Sequence, residues 1–128
     1  MARDEKLKQN WHQLELQLSK DFGEGEALNL DAIIYLIGVQ EYGRPQQRFK
    51  KDDKINLMHI AICKLLEPYG YYEFDFFDDQ GWPHYKTKEK LPHLKPGEQS
   101  VLMKEAIVNY FIENNYLKTT EIELYESE

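Results

Sequence analysis

A chain of 128 residues with 41% hydrophobic and 13% aromatic content holds enough apolar material for one folded domain and too much for a disordered one. Its formal charge of −7 argues against a general nucleic-acid binder, whose affinity comes mostly from Lys and Arg neutralising phosphates. With Cys63 as the single cysteine, an intramolecular disulfide and a thiolate metal cluster are both excluded.

The N-terminal "MARDEKLKQNW" is charged and followed by no apolar run, so no secretory signal is expected. The apolar stretches near 32–39 and 101–112 are too short or too interrupted to span a bilayer. The expected setting is cytoplasmic, with no membrane contact and nucleic acid an unlikely partner. The densest basic run, "RPQQRFKKDDK" at 44–54, is short and interrupted by two Asp.

From about Asp4 to Phe22, Leu7, Trp11, Leu14, Leu18 and Phe22 recur at steps of four, three, four and four, one stripe of an α-helix. The two glycines at 23 and 25 mark its end. "NLDAIIYLIGVQEYG" predicts a second helix over Leu30–Tyr42, with Asn29 as N-cap, Gly43 just past its end and apolar residues around nearly all its circumference. A third helix follows an Asp cap at Asp52 or Asp53 and runs to about Glu67, where Pro68 stops it. Ile55, Met58, Ile62, Leu65 and Leu66 fall on one face with His59 among them, and Leu57 and Ile60 lie opposite. That composition predicts a core face with a hydrogen-bonded histidine, and a second apolar patch available to another layer or another chain.

Residues 67–85, "EPYGYYEFDFFDDQGWPHY", concentrate eight aromatics and five carboxylates in nineteen positions, so they invite both core and binding readings. Tyr72, Phe74 and Phe76 alternate with Glu73 and Asp75, as in a half-buried strand. "DDQG" supplies a turn, and "WPHYKT" returns as a second strand whose Pro83 places it at an edge. A two-residue loop at Asp79–Gln80 sets Asp75 opposite His84 and Glu73 opposite Lys86. One at Gln80–Gly81 sets Asp75 opposite Lys86 and Glu73 opposite Lys88. Either way Phe74, Phe76 and Tyr85 share one face and the charges the other, whereas a three-residue loop with a bulge shifts the pairing by one. The two-residue loop is the favoured expectation.

Pro96 opens a fourth helix that runs to about Asn114, with Leu102, Met103, Ala106, Ile107, Tyr110 and Phe111 on a broad face and Val101, Val108 and Ile112 across from it. Asn114 or Asn115 can close it in the left-handed region. A two-stranded hairpin is marginal alone, and the fourth helix is its nearest candidate support. The expectation is therefore a mostly helical α+β fold: about four helices with a β-hairpin between the third and fourth, forming a single compact domain over 1–118. Residues 119–128 form an acidic tail, either an edge strand or disordered.

Chemistry is weakly signposted. His12, His59, His84 and His93 have no companion at metal-ligand spacing. A mixed site of His84 with Asp75, Asp78 or Asp79 is less economical than a plain His–Asp pair. Counting back from Gly81 puts Phe76 and Gln80 where a calcium loop needs Asp or Asn. Cys63 borders an apolar helical face, the setting of a small buried hydrophobe. A winged-helix reading meets Asp78–Asp79 where a wing carries cations. No metal, cofactor or catalytic residue is assigned.

The sequence favours a non-enzymatic protein acting through protein contacts, as an adaptor or subunit and in one version a homodimer. Its surface would centre on Phe77, Trp82 and Tyr85 as anchors with Asp78 and Asp79 as a charged rim. The alternative is a small enzyme or ligand binder with a pocket between hairpin and fourth helix, lined by Glu73, Asp75, His84 and Tyr85.

Overall fold

The computed structural model describes residues 2–23, 26–43 and 49–117. They form α1 (Ala2–Phe22), α2 (Leu30–Tyr42), α3 (Lys51–Leu66), a 3-10 turn at Glu67–Tyr69, β1 (Tyr72–Phe77), β2 (Pro83–Thr87) and α4 (Pro96–Glu113). The mostly helical α+β class, with four helices and an antiparallel hairpin between the third and fourth, is as the sequence predicts. The expected tail at 119–128 lies outside the described residues.

The chain groups into two units, Met1–Leu28 with Leu94–Glu128, and Asn29–His93. In the first, α1 packs on α4. Leu14 and Leu18, one turn apart, are fully buried, as is Ile107; full burial of such a side chain stabilises by about 1.5–3 kcal/mol. The stripe read from the sequence narrows at its ends, where Leu7 and Trp11 are half-buried and Phe22 is exposed. Asn10, a turn before Leu14, is the one buried polar residue among those described. Past α4, Asn115 takes φ 61° and turns the chain back. Tyr116 then clasps α1: its carbonyl accepts from Gln17 Nε2 at 2.8 Å, and its hydroxyl donates to the Gln17 carbonyl and the Asp21 carboxylate.

In the second unit α2 lies on α3. Asn29 caps α2, its side chain accepting from the Ala32 N–H at 2.8 Å, and Gly43 ends it at φ 77°. The two backbones approach so closely at Gly38 that a Cβ there would sit 2.1 Å from the Leu57 carbonyl oxygen. Glycine is required by that crossing. It also decides which face of α3 is core. Leu57, Ile60 and Ala61 are buried, together with Cys63, Leu65 and Leu66, whereas Ile55 is 66% exposed and His59 is exposed. Both expected stripes therefore supply core residues, Leu65 and Leu66 from the main face and Leu57 and Ile60 from the second, while the Ile55 and His59 part of the main face is left exposed because α2 crosses at Leu57. His59 is not a core histidine. The N-terminus of α3 also differs from expectation: Lys50 is the N-cap residue and Asp53 Oδ2 accepts its N–H from three residues on, at 2.9 Å.

The hairpin rests on α3, where proximity in sequence suggested the fourth helix. Its loop has three residues, Asp79–Gly81, closed by Asp78 N–H to the Trp82 carbonyl and Gly81 N–H to the Asp78 carbonyl, both 2.9 Å, with Gly81 at φ 86°. The predicted two-residue loop is therefore wrong by one residue. Near the tip the pairs are Phe77 with Pro83 and Phe76 with His84; a bulge between Phe74 and Phe76 then restores Phe74 with Tyr85, Glu73 with Lys86 and Tyr72 with Thr87. Asp75 is the extra residue. The bulge also splits the expected face. Phe74 contacts Tyr85 and Phe77, with centroids 5.8 and 5.0 Å away, whereas Phe76 lies flat on His84 at 4.7 Å and 3°.

The Lys88 N–H bonds the Tyr71 carbonyl at 2.9 Å, so by antiparallel alternation Tyr72 and Phe74 turn their backbone groups to the outer edge of β1. At that edge the Phe74 N–H donates to the Glu67 carboxylate at 3.1 Å.

Candidate functional site

The hairpin tip is built around Asp78. Its Oδ1 accepts from the N–H groups of Gln80 and Trp82, at 2.9 and 3.0 Å, and its Oδ2 meets His84 Nε2 at 2.9 Å. An Asp that satisfies two loop donors holds a turn in the way short polar side chains do best. The His84 hydrogen bond, followed by the Trp82 N–H, keeps the Asp78 carboxyl below the usual carboxylate range. Asp78 is thus a structural keystone of the tip, and its pairing with His84 is the plain His–Asp pair anticipated from sequence.

Trp82 is half-buried, its indole stacked on Tyr42 at 4.2 Å and 18°, and the Tyr42 hydroxyl donates to the Gln80 carbonyl at 3.4 Å. Tyr85 is half-buried too; burial first, then the Glu67 and Glu41 carboxylates, push its phenol above the usual range, so it stays neutral. Of the five residues expected at an interface, Trp82, Tyr85 and Asp78 have work inside the fold, while Phe77 and Asp79 face solvent. Phe74 and Phe76, expected to be inward, are exposed at 38% and 49%, beside Phe77 at 62%. The adjacent Phe76 and Phe77 cannot both keep a period-two pattern, which marks one of them for solvent; the exposure of Phe74 has no such signal.

The expected pocket residues separate. Glu73 pairs with Lys86 at 3.1 Å and approaches Lys88 at 4.0 Å, and Asp75 sits exposed on the bulge. His84 and Tyr85 line a hollow of about 380 Å³ whose other wall is α3, through Asp53, Asn56 and His59. The hairpin adds Asp78, Gln80 and Trp82. Sequence reasoning missed the α3 wall because it placed His59 on the core face and set the fourth helix, not α3, beside the hairpin.

Cys63 is buried, its thiol is pushed up to about 11 by burial, and its Sγ lies 3.6 Å from His59 Nε2; that is the reverse of an activated thiolate. Among the described residues no three His, Cys, Asp or Glu side chains converge as a metal site would require. No helix among them is long and apolar enough to cross a membrane.

No family model matches the chain, and neither a curated protein nor a solved structure matches it.

Proposed function

We propose that the protein is a non-enzymatic cytoplasmic interaction module, an adaptor or subunit, that engages a protein partner through the exposed phenylalanines of its hairpin. The exposure of Phe74, Phe76 and Phe77 on one short ribbon carries this reading. Each forgoes part of the roughly 1.5–3 kcal/mol that burial of such a ring yields, and aromatic rings are enriched where interfaces concentrate their binding energy. Asp75 and Asp79 flank these rings in the exposed part of the hairpin. Two copies meeting at these rings would oppose like charges in a chain that already carries −7, so the homodimeric version is less favoured than a partner of different composition.

Selection of peptides from a displayed random library on the immobilised full chain tests this. Binding that falls at least tenfold with Phe77→Ser or Phe76→Ser, while thermal unfolding is unchanged, supports the hairpin face. Selected peptides indifferent to both substitutions would remove it. A second reading, small-ligand binding, is favoured by the hollow, which lies within the roughly 300–1,000 Å³ of ordinary ligand sites.

A further inference from the structure

We infer that the hollow between α3 and the hairpin receives an arginine side chain of the protein partner. This rests on the interaction reading above. Phe76 lies flat against His84, and His84 forms part of the hollow's wall, so a segment seated on Phe76 meets the rim of the hollow at the next side chain.

Charge selects a cation. The walls carry two carboxylates, Asp53 from α3 and Asp78 from the hairpin, two imidazoles, His59 and the Asp78-bonded His84, and no Lys or Arg among the described residues. Lys54, next to Asp53 in sequence, is directed to the Tyr35 ring, 5.9 Å from its centroid. Asp78 spends both oxygens on Gln80, Trp82 and His84 and contributes charge alone. Asp53 spends Oδ2 on the Lys50 N–H, which leaves Oδ1 to accept. Asn56 and Gln80 add residues with carboxamide side chains on opposite walls, and Trp82 adds an aromatic residue.

Acceptors on two walls and a ring suit a guanidinium better than an ammonium. Arginine is planar, offers five N–H donors in a fixed fork and stacks on aromatic faces, whereas lysine is a compact, strongly hydrated point charge. A cation over an indole is attracted by the negative face of the ring, most strongly when desolvated. The hollow's volume of about 380 Å³ accommodates one long side chain with bridging water.

The test titrates the 15N-labelled full chain with N-acetyl-arginine methylamide and, separately, with the neutral isostere N-acetyl-citrulline methylamide. Expected are saturable shifts at the Asn56 and Gln80 side-chain amides and the Trp82 indole N–H with arginine, and affinity at least tenfold weaker for citrulline. Asp53→Asn keeps an acceptor for the Lys50 N–H and should weaken arginine binding several-fold; Asn56→Ala, at an exposed site, gives a second variant should the first unfold. Equal response to the two compounds, shifts elsewhere, or unchanged affinity in the folded variants overturns the inference. Because the single amino acid does not span the phenylalanines, Phe77→Ser should leave its binding intact. A selected peptide that needs Phe77 but tolerates citrulline in place of each arginine would sink the inference and leave the interaction reading standing. Arginine discrimination without Phe77-dependent peptides would do the reverse.

Discussion

Trp82 and Tyr42 stack at 4.2 Å with their planes 18° apart, tying the hairpin to the C-terminal end of α2 by an aromatic pair. Trp82→Ala is therefore expected to destabilise the fold by about 2–3 kcal/mol, short of the roughly 3–5 typical of a fully buried ring. Chemical denaturation of the full chain measures it. Unchanged stability would show that the indole is free for a partner.

Gly38→Ala should also destabilise, by about 2 kcal/mol or more, because the new methyl would press on the Leu57 carbonyl. The sign is diagnostic. In an unconstrained helix interior the same change is stabilising by up to about 1 kcal/mol, so a gain in melting temperature would refute the close crossing of α2 and α3.

How much of this was legible in the sequence depends on what set each feature. The limits of α2 were readable because Asn29 and Gly43 mark them by local chemistry, and Pro96 marks the start of α4 in the same way. The exposed end of α3's main stripe was not, since Ile55 is apolar and only the crossing of α2 at Leu57 leaves it uncovered. The hairpin register failed at one residue: Gly81 can close a two- or a three-residue loop, and the Asp75 bulge that compensates has no residue signature of its own. For the site, Phe77 and Asp79 were readable as tip residues, while the hollow depends on α3 and so inherited the error in that helix.

Asp78 fixes the sign of a pH effect. A carboxyl held below its unfolded-state value of about 3.9 stabilises the folded hairpin above that pH, and the contribution disappears as pH falls through the lower folded-state value. The Gln80 and Trp82 amide resonances, whose N–H groups bond its Oδ1, should report a titration midpoint below about 3.9. Asp78→Asn should abolish that titration. A midpoint at or above the ordinary value contradicts the arrangement.

Removing the Tyr116 hydroxyl tests the clasp on α1. Tyr116→Phe deletes its bonds to Asp21 and the Gln17 carbonyl while sparing the ring contact with Phe111 at 5.2 Å. The expected loss is about 0.5–1.5 kcal/mol, read by denaturation. The tyrosinate absorbance offers a second measurement. Burial and the Asp21 carboxylate raise the phenol above its usual range, so one tyrosine that titrates late in wild type should be missing in the variant.

Cys63 should resist alkylation in the native chain at pH 8, since a thiol pushed up to about 11 and shielded from solvent offers little thiolate. Denaturant should restore labelling by more than a hundredfold. Rapid native labelling would contradict the packing of α3.

Glu67 has a role beyond its own turn. A ribbon that displays three phenylalanines beside an open strand edge is a template for edge-to-edge assembly with other chains. By holding the Phe74 N–H, the Glu67 carboxylate occupies a donor that an added strand would need, and it sets a negative charge where that strand's carbonyls would lie. The edge of β1 is thereby closed to strand addition at Phe74. Glu67→Ala should reopen it, seen as concentration-dependent assembly that the parent chain does not show at the same concentration.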